Sequence, residues 1–342
     1  MKSVNLRLPA EWEEQSAILI AWPHEHTDWN YMLDEVESCY ASIAEAITKD
    51  EDLIIVTPDT KSVSKKLLHL PSDKLHFFQI PTNDTWARDF GPISVMGNGV
   101  PLLYDFKFNA WGLKFAACYD NLINSALHKA GAFKANLINK LNFVLEGGSI
   151  ESDGQGTLLT TTNCLLSKNR NGEFSKQDIE KYLSEQFGIS KFLWLNHGYL
   201  DGDDTDSHID TLARFCPNNT IAYVGCDDRA DIHYDELKLM EDELQKATNA
   251  NGQPLKLIKL PFPSPIHDEN GMRLPATYAN FLITNRQVLV PTYGQKDKDN
   301  EAQKIISQIF PERKITGIDC RPLIRQHGSL HCVTMQLLKG TF

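Results

Sequence analysis

The chain has no apolar run long enough to span a bilayer. Its opening, residues 1–14, lacks the apolar stretch of a secretory signal. A cytoplasmic protein is therefore expected. There is no C-x-x-C pair, which removes the usual zinc knuckle and dithiol redox motif. The seven cysteines (39, 118, 164, 216, 226, 320 and 332) are odd in number and irregular in spacing, as expected of reduced, mostly buried thiols. No G-x-G-x-x-G follows a strand candidate, and no Walker loop is present. Positive charge is in deficit: 34 Lys and Arg face 45 Asp and Glu, a formal net charge of −11. That balance argues against nucleic acid and an anionic membrane as partners, and it suits a cationic small molecule. No low-complexity stretch or linker divides the 342 residues, so one compact unit over 1–342 is expected.

What is present reads as a soluble globular chain, 42% hydrophobic and 23% charged. The β-branched run LIIVT (53–57) predicts a buried strand. Residues 34–49 carry Val36, Tyr40, Ile43 and Ile47 on one helical face. Ser175 and Asp178 form a capping-box signature for a helix ending before Gly188. Helices are also expected over 235–247 and over 301–310, the latter stopped by Pro311. Strand candidates are 156–162, 220–224, 279–284 and 287–291, the last two forming a hairpin that turns at Asn285–Arg286. Strand pairs followed by a helix and a further strand indicate an α/β class without the strict alternation of a doubly wound sheet.

Four segments concentrate reactive side chains: NDTWARDFGP (83–92), LEGGSIES (145–152), DDTDSHIDTLARF (203–215) and HGSLHCVTMQ (327–336). Cys332 is a candidate thiolate nucleophile, the alternative being a buried structural cysteine. Its neighbour His331 is a poor partner if the segment is extended, since adjacent side chains then point to opposite faces. His208 is the better base. In an extended segment it would share a face with Asp210, two residues on. The alternative is an exposed strand edge. Glu146, before two glycines, could orient an imidazole, or could be a turn carboxylate facing water. Asp89 follows Trp86-Ala87-Arg88, which reads as a recognition surface or as a loop held by an Arg–Asp pair. The acids at 203, 204 and 206 are either a solvated turn or a contact for an amine, with Asp204 the candidate. A thiol and an imidazole among several acids poorly suit acyl transfer, whose developing oxyanion the acids would repel. They suit a guanidinium, which is planar, cationic and held best by paired carboxylates.

These segments, in this order, make the chain resemble the agmatine deiminases and the related bacterial peptidylarginine deiminases. The opening LPAEWEEQSAILIAWPHEHTDW, FNAWG (108–112), TLLTT (157–161) and YANFLITNRQVLVPTYG (278–294) are similar too, so the likeness covers nearly the whole chain. It implies an α/β pentein fold, a propeller of five ββαβ units around a central site. It implies Cys332 as nucleophile, His208 as general acid/base, Glu146 as the acid orienting it, Asp89 and Asp210 as the guanidinium clamp, and Trp86 in the substrate pocket. No metal or organic cofactor is implied. The sequence departs from the family pattern in three places. Gln326 to Leu330 replace a glycine-rich stretch, Ser207 stands where glycine is usual, and Thr211 follows Asp210 where asparagine is common. These changes bear on the far end of the substrate. Agmatine is the expected substrate. Peptidyl-arginine, free arginine or another guanidino compound would be the nearest variants, with amidino transfer to an amine as a second chemistry. A non-catalytic binder of small cations would need only the acids. A papain-like peptidase would place its cysteine near the start of the mature chain. Oligomeric state is left open.

Overall fold

The computed structural model describes residues 5–342, so the first four residues of the opening segment lie outside it. The buried apolar run does form a strand, Asp52–Thr57. It lies parallel between Gln15–Ala21 and Leu75–Gln79, which explains its continuous rather than alternating hydrophobicity. Helix Leu33–Ile47 buries Val36, Tyr40, Ile43 and Ile47, the face its period gives. The capping box at Ser175 and Asp178 opens helix Lys176–Phe187, which Gly188 ends in the left-handed conformation.

Among the described residues the strands form five sheets. In each, an antiparallel pair gains a parallel neighbour after a helical connection. The first four sheets are built on Ile93–Gly97 with Val100–Lys107, Ile150–Ser152 with Thr157–Thr161, Ala213–Cys216 with Thr220–Val224, and Leu282–Ile283 with Gln287–Thr292. Their parallel additions are Leu137–Val144, Lys191–Leu195, Lys256–Leu260 and Lys314–Asp319. The fifth pairs Met335–Leu338 with Gln15–Ala21, joining segments from opposite ends of the sequence. The fold is mixed α/β. Among the described residues no helix is long and apolar enough to cross a membrane.

Three sequence expectations are corrected. The helix expected at 301–310 begins at Lys296, where Asp297 and Asp299 in its first turn favour an earlier start. The strand expected over 279–284 shrinks to Leu282–Ile283, because the carbonyls of Ala279 and Phe281 accept from Arg214 Nη1 at 3.1 and 2.7 Å instead of entering a ladder. The His208–Asp210 segment is not extended. It leads into a single 3-10 turn, Ile209–Thr211.

At Gly188 (φ +69°), an added Cβ would lie 1.9 Å from the Leu6 carbonyl oxygen. Gly131 (φ +76°) has open space around it. Gly131→Ala is expected to cost about 1–2 kcal/mol, the left-handed backbone penalty alone. Gly188→Ala adds a backbone clash, so its urea midpoint should fall clearly below that of Gly131→Ala.

Candidate active site

The turns between strands carry the four reactive segments to one place. A cavity of about 150 Å³ is lined there by Trp86, Asp89, Trp111, Asp204 and Cys332. Trp86 packs over Gly328, where a Cβ would sit 2.1 Å from its ring, so only glycine fits beneath the indole. Trp111 donates its indole N–H to Asp89 Oδ2 at 2.9 Å. The ring is reached through a kinked turn in which Ala110, Trp111 and Leu113 all have positive φ.

Below the cavity lies a fully buried layer. His208, Asp89 and Asp210 converge on Gly148. A Cβ there would lie 2.6 Å from His208 Nδ1, 2.8 Å from Asp89 Oδ1 and 3.2 Å from Asp210 Oδ2. The absent side chain is the space that the three groups share. The Gly148 N–H also donates to Asp89 Oδ1 at 3.1 Å. His208 Nε2 meets Glu146 Oε2 at 3.1 Å, and Nδ1 lies 3.5 Å from Asp89 Oδ1. Glu146 is not the solvent-facing turn carboxylate of the alternative reading. It is fully buried and accepts from Arg170 Nε at 2.8 and 3.0 Å. Arg170 continues to Asp206, a partly exposed acid that also pairs with Lys114. Asp203 and Asp204 line the cavity.

Cys332 Sγ lies 3.4 Å from Asn280 Oδ1 and 3.9 Å from Asp210 Oδ2. The Cys332 segment is a turn, not a strand. His331 accordingly does not lie on the far face of a sheet but reaches Asp210 through Nδ1 at 2.8 Å. Arg88 likewise does not pair with its neighbour Asp89. It turns away to Glu11, whose Oε1 it meets at 2.9 Å. Glu11 also bonds Arg214 and His331, and Arg214 bonds Glu151. Sequence reasoning missed Glu11, Asn280, Trp111, Arg170 and Arg214. Arg214, a charged residue set between apolar neighbours in a strand, was the available signal.

The charges perturb one another. Burial, assisted by Asp210 and Glu146 and opposed by His208, pushes Asp89 up to about 6. Burial would raise Glu146, but the His208 hydrogen bond and the Arg170 charge hold it below its ordinary value. Burial would lower His208, yet the charge of Asp89 and the hydrogen bond to Glu146 raise it well above the ordinary imidazole range. Burial, then the charges of Asp210 and Asp89, push the Cys332 thiol well above its ordinary value. Two donor clusters have metal-like spacing, Glu146–Cys164–His208 and Glu11–Glu151–His331. In both, a guanidinium already sits on the carboxylates, Arg170 in the first and Arg214 in the second, where a metal's charge would go.

The raised thiol gives a pH-dependent expectation. In the free protein, iodoacetamide should modify exposed Cys118 first near neutral pH, as mapped by mass spectrometry. Modification of Cys332 should rise only as pH passes the ordinary thiol pKa of about 8.5. A Cys332 that reacts as fast as Cys118 near neutral pH would contradict this.

The family described as Porphyromonas-type peptidyl-arginine deiminase matches residues 7–337. A protein of Marinomonas sp. (strain MWYL1), provisionally named an agmatine deiminase, is 34% identical over 97% of this chain and 94% of its own. A solved Porphyromonas gingivalis structure, provisionally called an arginine deiminase, is 51% identical with a TM-score of 0.93, covering 98% of this chain and 99% of that one. The C. jejuni agmatine deiminase, solved with substrate bound, is 40% identical with a TM-score of 0.93, covering 99% and 98%. With a match over almost its whole length and relatives this similar, the chain belongs to the Porphyromonas-type peptidyl-arginine deiminase family.

Proposed function

We propose that the protein hydrolyses a guanidino group through Cys332, and that its substrate is agmatine, converted with water to N-carbamoylputrescine and ammonia. The observation that carries this reading is a thiol at the floor of a cavity that holds five aspartates and, among the described residues, no lysine or arginine. The guanidinium docks between Asp89 and Asp210. Asp210 Oδ1 is buried without a partner, an acceptor that a guanidinium N–H would satisfy. Beyond the clamp lie Asp28, Asp84, Asp203 and Asp204. Burial and the charge of Asp28 push Asp84 up to about 7, and an ammonium placed beside it would restore the ionised form. The carboxylate of free arginine would be repelled there. Trp86 lies where an alkyl chain would pass.

The thiol starts protonated. A docked cation offsets the field of Asp89 and Asp210, the thiol proton passes to solvent, and the thiolate attacks the guanidinium carbon. His208, held by Glu146, gives a proton to the departing ammonia, leaving an amidino group on sulfur. It then takes a proton from water, whose oxygen attacks the same carbon. The carbon–sulfur bond breaks, and the ureido product leaves with the thiol restored. As drawn, the reaction uses no metal or organic cofactor. We place it in the cytoplasm, with a small cation as partner rather than nucleic acid or membrane. We also propose that the five sheets are the blades of a pentein propeller whose turns meet at this site, and that residues 1–342 are one catalytic domain.

Ammonia release from agmatine, free arginine and a blocked arginine peptide, offered separately, tests the reading. Agmatine should be turned over, and Cys332→Ala should lower the rate by more than about 10³-fold. Preference for the peptide would move the substrate to peptidyl-arginine. No release from any of them would overturn the chemistry. A short inert amidinium compound should speed alkylation of Cys332 near neutral pH, since its charge offsets the clamp.

A further inference from the structure

His331 is fully buried, and neither of its ring nitrogens is bonded to Cys332 Sγ. Its Nδ1 lies 2.8 Å from Asp210 Oδ2. Its Nε2 lies 2.9 Å from both Glu11 oxygens and 3.0 Å from Arg214 Nη2. Asp210 Oδ2 also accepts from Asn280 Nδ2 at 3.2 Å, whereas Oδ1 has no partner. The two oxygens of one carboxylate are thus treated differently.

The proton on the ring follows from what its neighbours can do. An ionised carboxylate only accepts, so Nδ1 must carry a hydrogen to face Asp210. Asp210 is ionised: burial would raise it, and the His331 hydrogen bond and nearby positive charges bring it below its ordinary value. Nε2 faces an acceptor, Glu11, as well as a donor, Arg214, so its partners do not fix its proton as Asp210 fixes that of Nδ1. The groups facing the ring are Asp210, Glu11 and Arg214, with Asn280 beside Asp210 and Arg88 behind Glu11. Burial and the two guanidiniums outweigh the carboxylates and hold His331 below the ordinary imidazole value. The hydrogen on Nδ1 is held in place by the carboxylate that it faces.

We propose that His331 is a positioning residue for guanidinium hydrolysis: its fixed Nδ1–H occupies Asp210 Oδ2 and leaves Oδ1 as the acceptor presented to the substrate. This rests on the reading of Cys332 and Asp210 given above. A guanidinium needs its two acceptors at set positions. Asn280 alone leaves the carboxylate free to swing about that one contact. His331 supplies the second point, and Glu11 and Arg214 hold His331.

The conservative replacements of histidine differ in a useful way. The amide of asparagine can stand where Nδ1 stands, and that of glutamine reaches the place of Nε2. With the guanidino compound that wild type turns over, His331→Gln should raise KM by about 10- to 100-fold, with a smaller change in kcat. His331→Asn should keep KM within about threefold of wild type, because the donor to Asp210 survives. Equal KM in both variants, whether near wild type or equally impaired, overturns the inference, since packing alone would not tell them apart. Nitrogen NMR of wild-type protein labelled with ¹⁵N-histidine reads the tautomer without relying on either variant folding. A protonated Nδ1 is expected through the neutral range, and a bare Nδ1 overturns the inference. A wild-type protein that releases no ammonia from any guanidino compound overturns the functional reading and this one with it. Turnover by wild type with indistinguishable variants overturns this one alone.

Discussion

One partly buried carboxylate, that of Glu11, joins two buried guanidiniums and a buried imidazole. Burying any of these ions singly costs several kcal/mol, and removing one member of such a set typically costs about 3–5 kcal/mol because the others are left unpaired. Asp210 meets the other nitrogen of the imidazole, and the acid Glu151 and two backbone carbonyls complete the shell of Arg214. The carboxylate itself ionises readily. Burial works against it, but His331, Arg214 and Arg88 bring it well below its ordinary value.

The reactive segments have a common construction around this cluster. Each contributes one side chain toward the cavity floor and another away from it. Asp89 faces the site and Arg88 faces Glu11. Glu146 meets His208, and Glu151 in the same segment meets Arg214. Asp210 and Arg214, four residues apart, divide in the same way, as do Cys332 and His331. The floor is acidic and the layer behind it is rich in guanidinium. The paired layers let three carboxylates, Asp89, Glu146 and Asp210, lie within reach of one imidazole without expelling one another. Asp89 nonetheless remains costly to ionise, raised by burial and by its acidic neighbours. In the function proposed above, a cation entering the cavity relieves that cost and couples recognition to the state of the thiol.

The candidate site was legible as a set of alternatives. A cysteine, an H-x-D pair and a glutamate before two glycines each also read as structural from their neighbours, and their roles came from the family resemblance of the segments together. The mode of convergence was less legible. His208 and Asp210 do share a wall, but through a 3-10 turn and not by strand alternation. His331 was set aside on the assumption of an extended segment that is in fact a turn. Glu11, Asn280 and Arg170 were invisible because nothing within ten residues of them needs a charge or an amide. Their partners lie 320, 52 and 24 residues away. The helices and buried strands were readable from period and caps. The segment at 279–281 was not, since an arginine 65 residues distant takes its carbonyl.

The pairing of Met335–Leu338 with Gln15–Ala21 has a kinetic side. The contact between Glu11 and His331 closes a loop of 320 residues, among the most expensive searches the chain makes in entropy. The helices and hairpins can form earlier, from neighbours. Until the last closure, the turn that carries Cys332 is not tied to the opening strand. An intermediate that is native in most of its secondary structure would therefore be chemically silent, and turnover would report the completion of folding rather than its onset.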